Sequence, residues 1–151
     1  MNDKQIFEYL FEIAKTSKDK EGVVAACLIS NKKILVASAS FDDGVRHAED
    51  LVIYKAKLQN IPITGKTILY STLEPCCQRN PTKNMIDCTT LIIESGIKKV
   101  VYAAKDPKDS VNSNERFKTS GVLYRQVVDN NIIAKAKEIF NNTVSDELDK
   151  I

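Results

Sequence analysis

The residues best suited to chemistry are a histidine, a glutamate and two cysteines that lie far apart in the chain. His47 is the only histidine, and Glu49 follows it two residues later. Cys76 follows Pro75 shortly after one apolar run, and Cys88 stands just ahead of another. A catalytic zinc site uses three nitrogen or sulfur ligands and leaves its fourth position to water. The pattern predicts Zn²⁺ ligands at His47, Cys76 and Cys88. Glu49 need not bind the metal and would move protons.

Cys77 leaves the ligand set open. It could replace Cys76 or Cys88, or it could join them and His47 in a closed structural site without a position for water. Neighbouring side chains of an extended chain point to opposite sides, so adjacent cysteines seldom both reach one small ion. We therefore favour the open site. Cys27 lies within a predicted strand, and we expect it to be a small buried core residue.

Length and composition indicate a globular protein of an ordinary kind. The 151 residues are 43% hydrophobic and 28% charged, which predicts a single domain over residues 1–151 with a polar, frayed tail from about Thr143. The net charge of +2 does not favour nucleic acid or a membrane surface as a partner. No apolar run is long enough to span a bilayer, and the polar start lacks a secretory apolar region. We expect a cytoplasmic protein with reduced thiols.

Apolar periodicity outlines the elements that must position these residues. The helices are expected from a cap at Asp3 to about Lys15, from about Arg46 to Leu58, at 88–95 between a cap at Asp87 and a stop at Gly96, as one turn at 115–118, and at 131–141. The strands are expected at 23–29, 34–38, 67–73, 98–104 and 122–128. Together they predict an α/β fold: a three-layer α/β/α sandwich around a mixed five-stranded sheet, with an N-terminal antiparallel hairpin and later parallel strands.

This arrangement would bring the candidate site residues together. His47 and Glu49 open one helix, Cys76 lies at a strand end, and Cys88 opens another helix. In an open α/β sheet, strand ends and the helix N-termini that follow them face one crevice. The positive end of a helix also favours hydroxide and lowers the pKa of a thiol, which then binds zinc as thiolate.

The same residues resemble the cytidine-deaminase-like superfamily of zinc hydrolases, whose nucleobase deaminases carry H-x-E and P-C-x-x-C motifs. The chain has His47-Ala48-Glu49 and Pro75-Cys76, but eleven residues rather than two separate Cys76 from Cys88. Within the superfamily the chain is most similar to the deaminase domain of the bifunctional riboflavin-biosynthesis deaminase/reductase, which also separates its cysteines by a polar loop. The resembling stretches are 47–49, 72–76 (Thr-Leu-Glu-Pro-Cys) and 88–107.

The resemblance implies a zinc-dependent hydrolytic deaminase of a pyrimidine-type nucleotide. First among the substrates is the diaminohydroxyphosphoribosylaminopyrimidine intermediate of riboflavin biosynthesis. Glu49 would shuttle a proton from zinc-activated water to a ring nitrogen and then to the departing ammonia. The resemblance also implies a homo-oligomer, a dimer or tetramer, and leaves the reductase step to another chain. Ala48, Arg79 and Lys83 are the candidate substrate contacts. The two loop cations suit a phosphate, although they could equally be solvated charges.

Two departures from the family keep other functions open. The family's Asn-Pro-x-Val-Gly stretch corresponds here to Glu21-Gly22-Val23-Val24-Ala25, without asparagine, and the cysteine loop ends Ile86-Asp87-Cys88 rather than Thr-Pro-Pro-Cys. One alternative is a cytidine, deoxycytidylate or tRNA nucleobase deaminase. The near-neutral charge and the absence of tryptophan do not favour the nucleic-acid substrate. The other alternative is a zinc-stabilised binding module without catalysis.

Overall fold

The chain folds around a β-sheet flanked by helices. The computed structural model describes residues 1–17, 22–76, 86–107 and 110–148. The strands are β1 (Ala25–Ser30), β2 (Lys33–Ala39), β3 (Ile68–Leu73), β4 (Lys99–Ala104) and β5 (Leu123–Gln126). The helices are α1 (Asp3–Ala14), α2 (Ala48–Leu58), α3 (Cys88–Ser95), α4 (Ser110–Thr119) and α5 (Asn130–Leu148).

The sheet has mixed topology, with the strand order β2-β1-β3-β4-β5 in the described residues. Strand β1 is antiparallel to both β2 and β3, whereas β3, β4 and β5 are parallel. Asn31 and Lys32 connect β1 to β2 with φ values of 51° and 63°, the positive angles that a tight two-residue hairpin requires. The predicted fold class, with its early hairpin and later parallel strands, is confirmed.

Helices cover both faces of the sheet. Helices α1 and α2 both contact β1, β2 and β3, yet they do not contact each other within the described ranges. They therefore lie on opposite faces, with α5 beside α1 and with α3 and then α4 following α2. The interior between these layers is apolar, and its largest fully buried side chains include Phe7, Leu10, Leu28, Leu51, Leu69, Val100, Val101 and Phe117.

Local capping decides where the two site-bearing helices begin. The Asp43 carboxylate accepts the backbone N–H groups of Val45 and Arg46 at 2.9 and 2.8 Å. These bonds fix the loop before α2, so His47 becomes its N-cap and the helix begins at Ala48 rather than at Arg46.

Helix α3 begins and ends as predicted. The Asp87 side chain caps the helix by accepting the Thr90 N–H at 2.8 Å. Gly96 ends it with a φ of 92°, a left-handed conformation that glycine adopts without steric cost.

The predicted cap of α1 is wrong by one residue. Asn2 is the N-cap, because its side chain accepts the Gln5 N–H while the Gln5 side chain accepts the Asn2 N–H. This reciprocal arrangement satisfies two backbone donors at once. The Asp3 carboxylate instead accepts hydrogen bonds from the Tyr70 hydroxyl at 2.8 Å and from Arg125 at 2.9 Å.

Two helices are longer than predicted. The turn expected at 115–118 is the ten-residue α4, whose polar sequence offers no apolar stripe because Phe117 is its main buried apolar side chain. The final helix, expected at 131–141, is α5 and continues to Leu148 through a sequence without glycine or proline. That its polar end frays from about Thr143 stays a prediction. The last strand, β5, is shorter than predicted. None of the helices in the described ranges is long and apolar enough to cross a membrane.

Gly22 gives a test of the packing between the start of β1 and α5. Its φ is +61°, and an added Cβ would lie 2.9 Å from Phe140 Cε2. We expect Gly22→Ala to lower the free energy of unfolding by about 1–3 kcal/mol, because the left-handed backbone becomes strained and the ring must shift. Gly65→Ala is the matched control, since its Cβ would meet no atom within 4 Å. Equal urea midpoints for the two variants would contradict the expectation.

Candidate metal centre

His47, Cys76 and Cys88 come together at one point. The His47 Nδ1 atom lies 3.6 Å from Cys76 Sγ and 3.4 Å from Cys88 Sγ. The three donor atoms all lie within 4.8 Å of one another. Ordinary zinc bond lengths and tetrahedral angles separate a nitrogen from a sulfur ligand by about 3.6 Å. The group could therefore hold a zinc ion, and three donors leave one of four positions to another ligand.

Each donor stands at the end of a different element. His47 is the N-cap of α2, Cys88 is the first residue of α3, and Cys76 follows the last residue of β3 by three positions. The Cys88 backbone N–H points at Cys76 Sγ at 3.4 Å. The positive ends of two helices therefore meet beside the sulfur atoms, where they stabilise negative charge.

The cysteines of the site and of the core differ in acidity. The hydrogen bond with Cys88 is the main cause that lowers the pKa of Cys76 to about 4, and His47 lowers it further against the effect of burial. Burial raises the pKa of Cys27 on β1 to about 12. Cys76 can thus bind a metal as thiolate near neutral pH. Cys27 is fully buried, as the sequence predicts for a core thiol.

Hydrogen bonds fix the backbone on both sides of Cys76. The Cys76 carbonyl accepts the Thr89 N–H at 3.0 Å and the Thr89 hydroxyl at 2.9 Å. The Pro75 carbonyl accepts the hydroxyl of buried Ser113 on α4 at 2.9 Å. The segment that carries Cys76 is therefore held by α3 and α4 as well as by β3.

Glu49 lies in the first turn of α2, two residues after the His47 donor. It is only 4% exposed, and the Ser71 hydroxyl on β3 donates to its Oε1 at 2.6 Å. Burial raises the pKa of Glu49 above its usual range, while the Ser71 hydrogen bond and the nearby His47 oppose that rise. A carboxyl group with a raised pKa is suited both to take and to give a proton near neutral pH.

The second buried glutamate near the site, Glu74, has a different environment. Its carboxylate accepts the Asp106 N–H at 3.3 Å and a hydrogen bond from the Tyr124 hydroxyl. The Tyr124 ring stacks on Tyr102 with centroids 4.8 Å apart. Burial raises the pKa of Glu74 as well. Its partners lie on β5 and after β4, so Glu74 connects the cysteine segment to the sheet.

The remaining site predictions are the substrate contacts of Ala48 and two loop cations, and the alternative ligand Cys77. Ala48 is fully buried in the first turn of α2, and its contact with a substrate stays a prediction. Arg79, Lys83 and Cys77 lie outside the described residues, so the phosphate contacts and the alternative ligand also stay predictions.

Gly22 lies just before β1 in the stretch that lacks the expected Asn-Pro pair. Its φ is +61°. Proline is locked near −65° and cannot adopt this conformation. Proline could therefore not occupy position 22 in this backbone.

Several residues that position the site carry no sequence signal. Ser71 on β3 contacts Glu49, while Ser113 and Arg116 on α4 contact the segments before the two cysteines. Single serines and arginines are common on exposed surfaces. Their partners lie more than 20 residues away in each case, so only the folded chain identifies them.

Comparisons with known proteins agree with this site. Residues 1–104 match the family model of the cytidine and deoxycytidylate deaminase zinc-binding region. The diaminohydroxyphosphoribosylamino-pyrimidine deaminase of Schizosaccharomyces pombe is 32% identical over 107 residues, which are 66% of this chain and 26% of that protein. The riboflavin biosynthesis protein RibD of Aquifex aeolicus is 31% identical over 125 residues, 80% of this chain and 33% of that protein.

A solved structure extends the similarity to nearly the whole chain. A diaminohydroxyphosphoribosylaminopyrimidine deaminase/5-amino-6-(5-phosphoribosylamino)uracil reductase from Thermotoga maritima aligns with a TM-score of 0.73 and 27% identity. The alignment covers 97% of this chain and 43% of that one.

The chain thus spans only about a quarter to a third of the length of these two curated relatives. The resemblance to the cytidine-deaminase-like superfamily, and within it to the riboflavin deaminase domain, is confirmed. Since the family model matches well over half of its 151 residues, the chain belongs to the cytidine and deoxycytidylate deaminase zinc-binding family.

Proposed function

We propose that the chain is a zinc-dependent hydrolytic deaminase of a pyrimidine-type nucleotide. In this proposal His47, Cys76 and Cys88 are the zinc ligands and Glu49 is the proton shuttle. The observation that carries it is the group of three donor atoms within 4.8 Å of one another beside a buried glutamate in the first turn of α2. The family supplies zinc as the cofactor.

The protein's own part in the reaction is mainly proton transfer. Zinc, when bound, supplies the Lewis acidity that makes water a nucleophile near neutral pH. Glu49 takes a proton from the attacking water and delivers it to the ring nitrogen next to the amidine carbon. It then takes the remaining proton from the hydroxyl on that carbon and gives it to the exocyclic amine, which leaves as ammonia while the carbon becomes a carbonyl. Ser71 holds one Glu49 oxygen during these transfers.

The first candidate substrate is the diaminohydroxyphosphoribosylaminopyrimidine intermediate of riboflavin biosynthesis. The names of the Schizosaccharomyces pombe and Thermotoga maritima proteins support this choice. The phosphate of that nucleotide would bind Arg79 and Lys83. A cytidine or deoxycytidylate nucleotide is the second candidate, because the family is named for those substrates. The net charge of +2 does not favour a tRNA substrate.

We also propose a cytoplasmic homo-oligomer. Strand β5 is at an edge of the described sheet. Leu123 within it is 69% exposed and Val128 just beyond it is 93% exposed, which gives an apolar edge that a second chain could cover. Sedimentation velocity of the purified protein tests the assembly, and a monomer at all concentrations would contradict it.

The cysteines test the ligand set. We expect Cys76→Ala and Cys88→Ala each to lose most of the bound zinc, because two remaining donors cannot hold the ion tightly. Elemental analysis of the purified proteins measures the zinc content. Cys27→Ala is the matched control and should retain about one zinc per chain. If Cys76→Ala kept its zinc, the ligand role would pass to Cys77.

Glu49→Gln tests the proton shuttle. We expect the variant to keep its zinc and its fold but to release ammonia at least about 100-fold more slowly, because the amide cannot exchange protons. Glu94→Gln, on the exposed face of α3, is the control and should retain activity. Ammonia release is measured with the diaminopyrimidine phosphate, with cytidine and deoxycytidine nucleotides, and with tRNA. A zinc-loaded wild type that is inactive on all of these would instead support a binding module.

Ser71 tests how Glu49 is held. We expect Ser71→Ala to lower kcat about 10-fold, with zinc content and KM unchanged, because the hydroxyl that orients the Glu49 carboxylate is lost. The same hydroxyl oxygen accepts the Leu73 N–H at 3.3 Å, so the free energy of unfolding is measured beside kcat. Ser71→Thr retains the hydroxyl and should recover most of the rate. An Ala variant with the wild-type kcat would remove Ser71 from the mechanism.

A further inference from the structure

Helix α4 contacts both segments that carry the cysteine donors. The Ser113 hydroxyl donates to the Pro75 carbonyl at 2.9 Å. One turn further along the helix, Arg116 donates through Nη1 to Asp87 Oδ1 at 3.1 Å and through Nη2 to the Thr90 hydroxyl. Pro75 directly precedes Cys76, and Asp87 directly precedes Cys88.

These contacts act on the positions of the two sulfur atoms. The Pro75 carbonyl belongs to the peptide group that leads into Cys76, so its hydrogen bond limits rotation of that residue. Asp87 caps α3 through Oδ1 and receives Arg116 at the same atom. The start of α3, which carries Cys88, is therefore held by α4. The same helix holds the segment that carries Cys76.

The contribution of the Arg116 ion pair to overall stability should be small. Both side chains are partly exposed, 36% for Arg116 and 19% for Asp87, and ion pairs of this kind contribute little to folding stability. The effect on a metal centre can be larger, because residues that orient ligands typically change metal affinity by about 10–100-fold. When the donor atoms are already in place, ordering them costs less of the free energy of zinc binding.

We propose that Ser113 and Arg116 are positioning residues that set the zinc affinity of the candidate metal centre. The inference rests on the proposed function only in that Cys76 and Cys88 bind zinc, and it requires no substrate. Neither residue touches the donor atoms in this scheme. They restrict the distance between the two cysteines before the ion arrives.

The test is zinc affinity measured by competition with a chromophoric chelator on folded apoprotein. We expect Arg116→Ala and Ser113→Ala to raise the zinc Kd about 10-fold or more. Arg116→Lys keeps the charge toward Asp87 but cannot form both bonds, so its Kd should lie between those of the wild type and the alanine variant. Arg125→Ala, which removes an ion pair with Asp3 on α1, is the matched control and should bind zinc like the wild type.

Two further readouts separate positioning from a general loss of structure. Urea unfolding of each apoprotein should show that Arg116→Ala loses no more stability than Arg125→Ala. The visible spectrum of the cobalt-substituted protein should change in Arg116→Ala, because the ligand geometry has relaxed. An unchanged zinc Kd in both alanine variants would overturn the proposal, as would a weaker Kd that follows a matching loss of folded apoprotein. Failure of the ligand set itself would be seen separately, as zinc retained in Cys88→Ala.

Discussion

The rest of the structure depends on placing two sulfur atoms and an imidazole within 4.8 Å of one another in a largely buried setting. At least one of the sulfurs is readily ionised, since the pKa of Cys76 is lowered to about 4. Negative charge in such a place needs positive partners. The N-termini of α2 and α3 supply this positive potential, and the Cys88 N–H points at Cys76 Sγ. The starts of these two helices must therefore lie beside the C-terminal end of β3.

Two buried glutamates near the end of β3 have different hydrogen-bond partners although both are almost inaccessible to solvent. Desolvation raises the pKa of both Glu49 and Glu74. The Glu74 oxygens accept hydrogen bonds from the Asp106 N–H and the Tyr124 hydroxyl. These bonds connect the Thr-Leu-Glu-Pro-Cys segment to the end of β4 and to β5. Glu49 shares a helix turn with a donor residue and is held by one hydroxyl. The position of Glu49 two residues after His47 and its different hydrogen-bond partner, rather than burial, distinguish this proposed proton shuttle from Glu74.

The predictions succeeded where the determining interactions are local. The cap at Asp87 and the stop at Gly96 each depend on residues within one helical turn, and the strands follow from short apolar runs. Asn2 and Asp3 are both good caps, and the choice between them depended on the Gln5 side chain. The polar helix α4 has no apolar stripe from which a period could be read.

The supporting contacts of the site could not be predicted from the sequence because they are long-range. Ser71, Ser113 and Arg116 reach partners that are 22, 38 and 29 residues away. Their residue types are common on ordinary surfaces, so no local pattern distinguishes them. A motif therefore identifies the donors, whereas the fold alone identifies what holds them.

The position of these parts along the chain also fixes an order of events during translation. Strand β3 pairs on one side with β1, which is synthesised before it, and on the other side with β4, which is synthesised after it. Cys76 and Cys88 therefore leave the ribosome before β4 and before Ser113, whose hydroxyl completes the Pro75 contact. A nascent chain consequently passes through an interval in which both cysteines have been synthesised but α4 is not yet present to hold the segments that carry them.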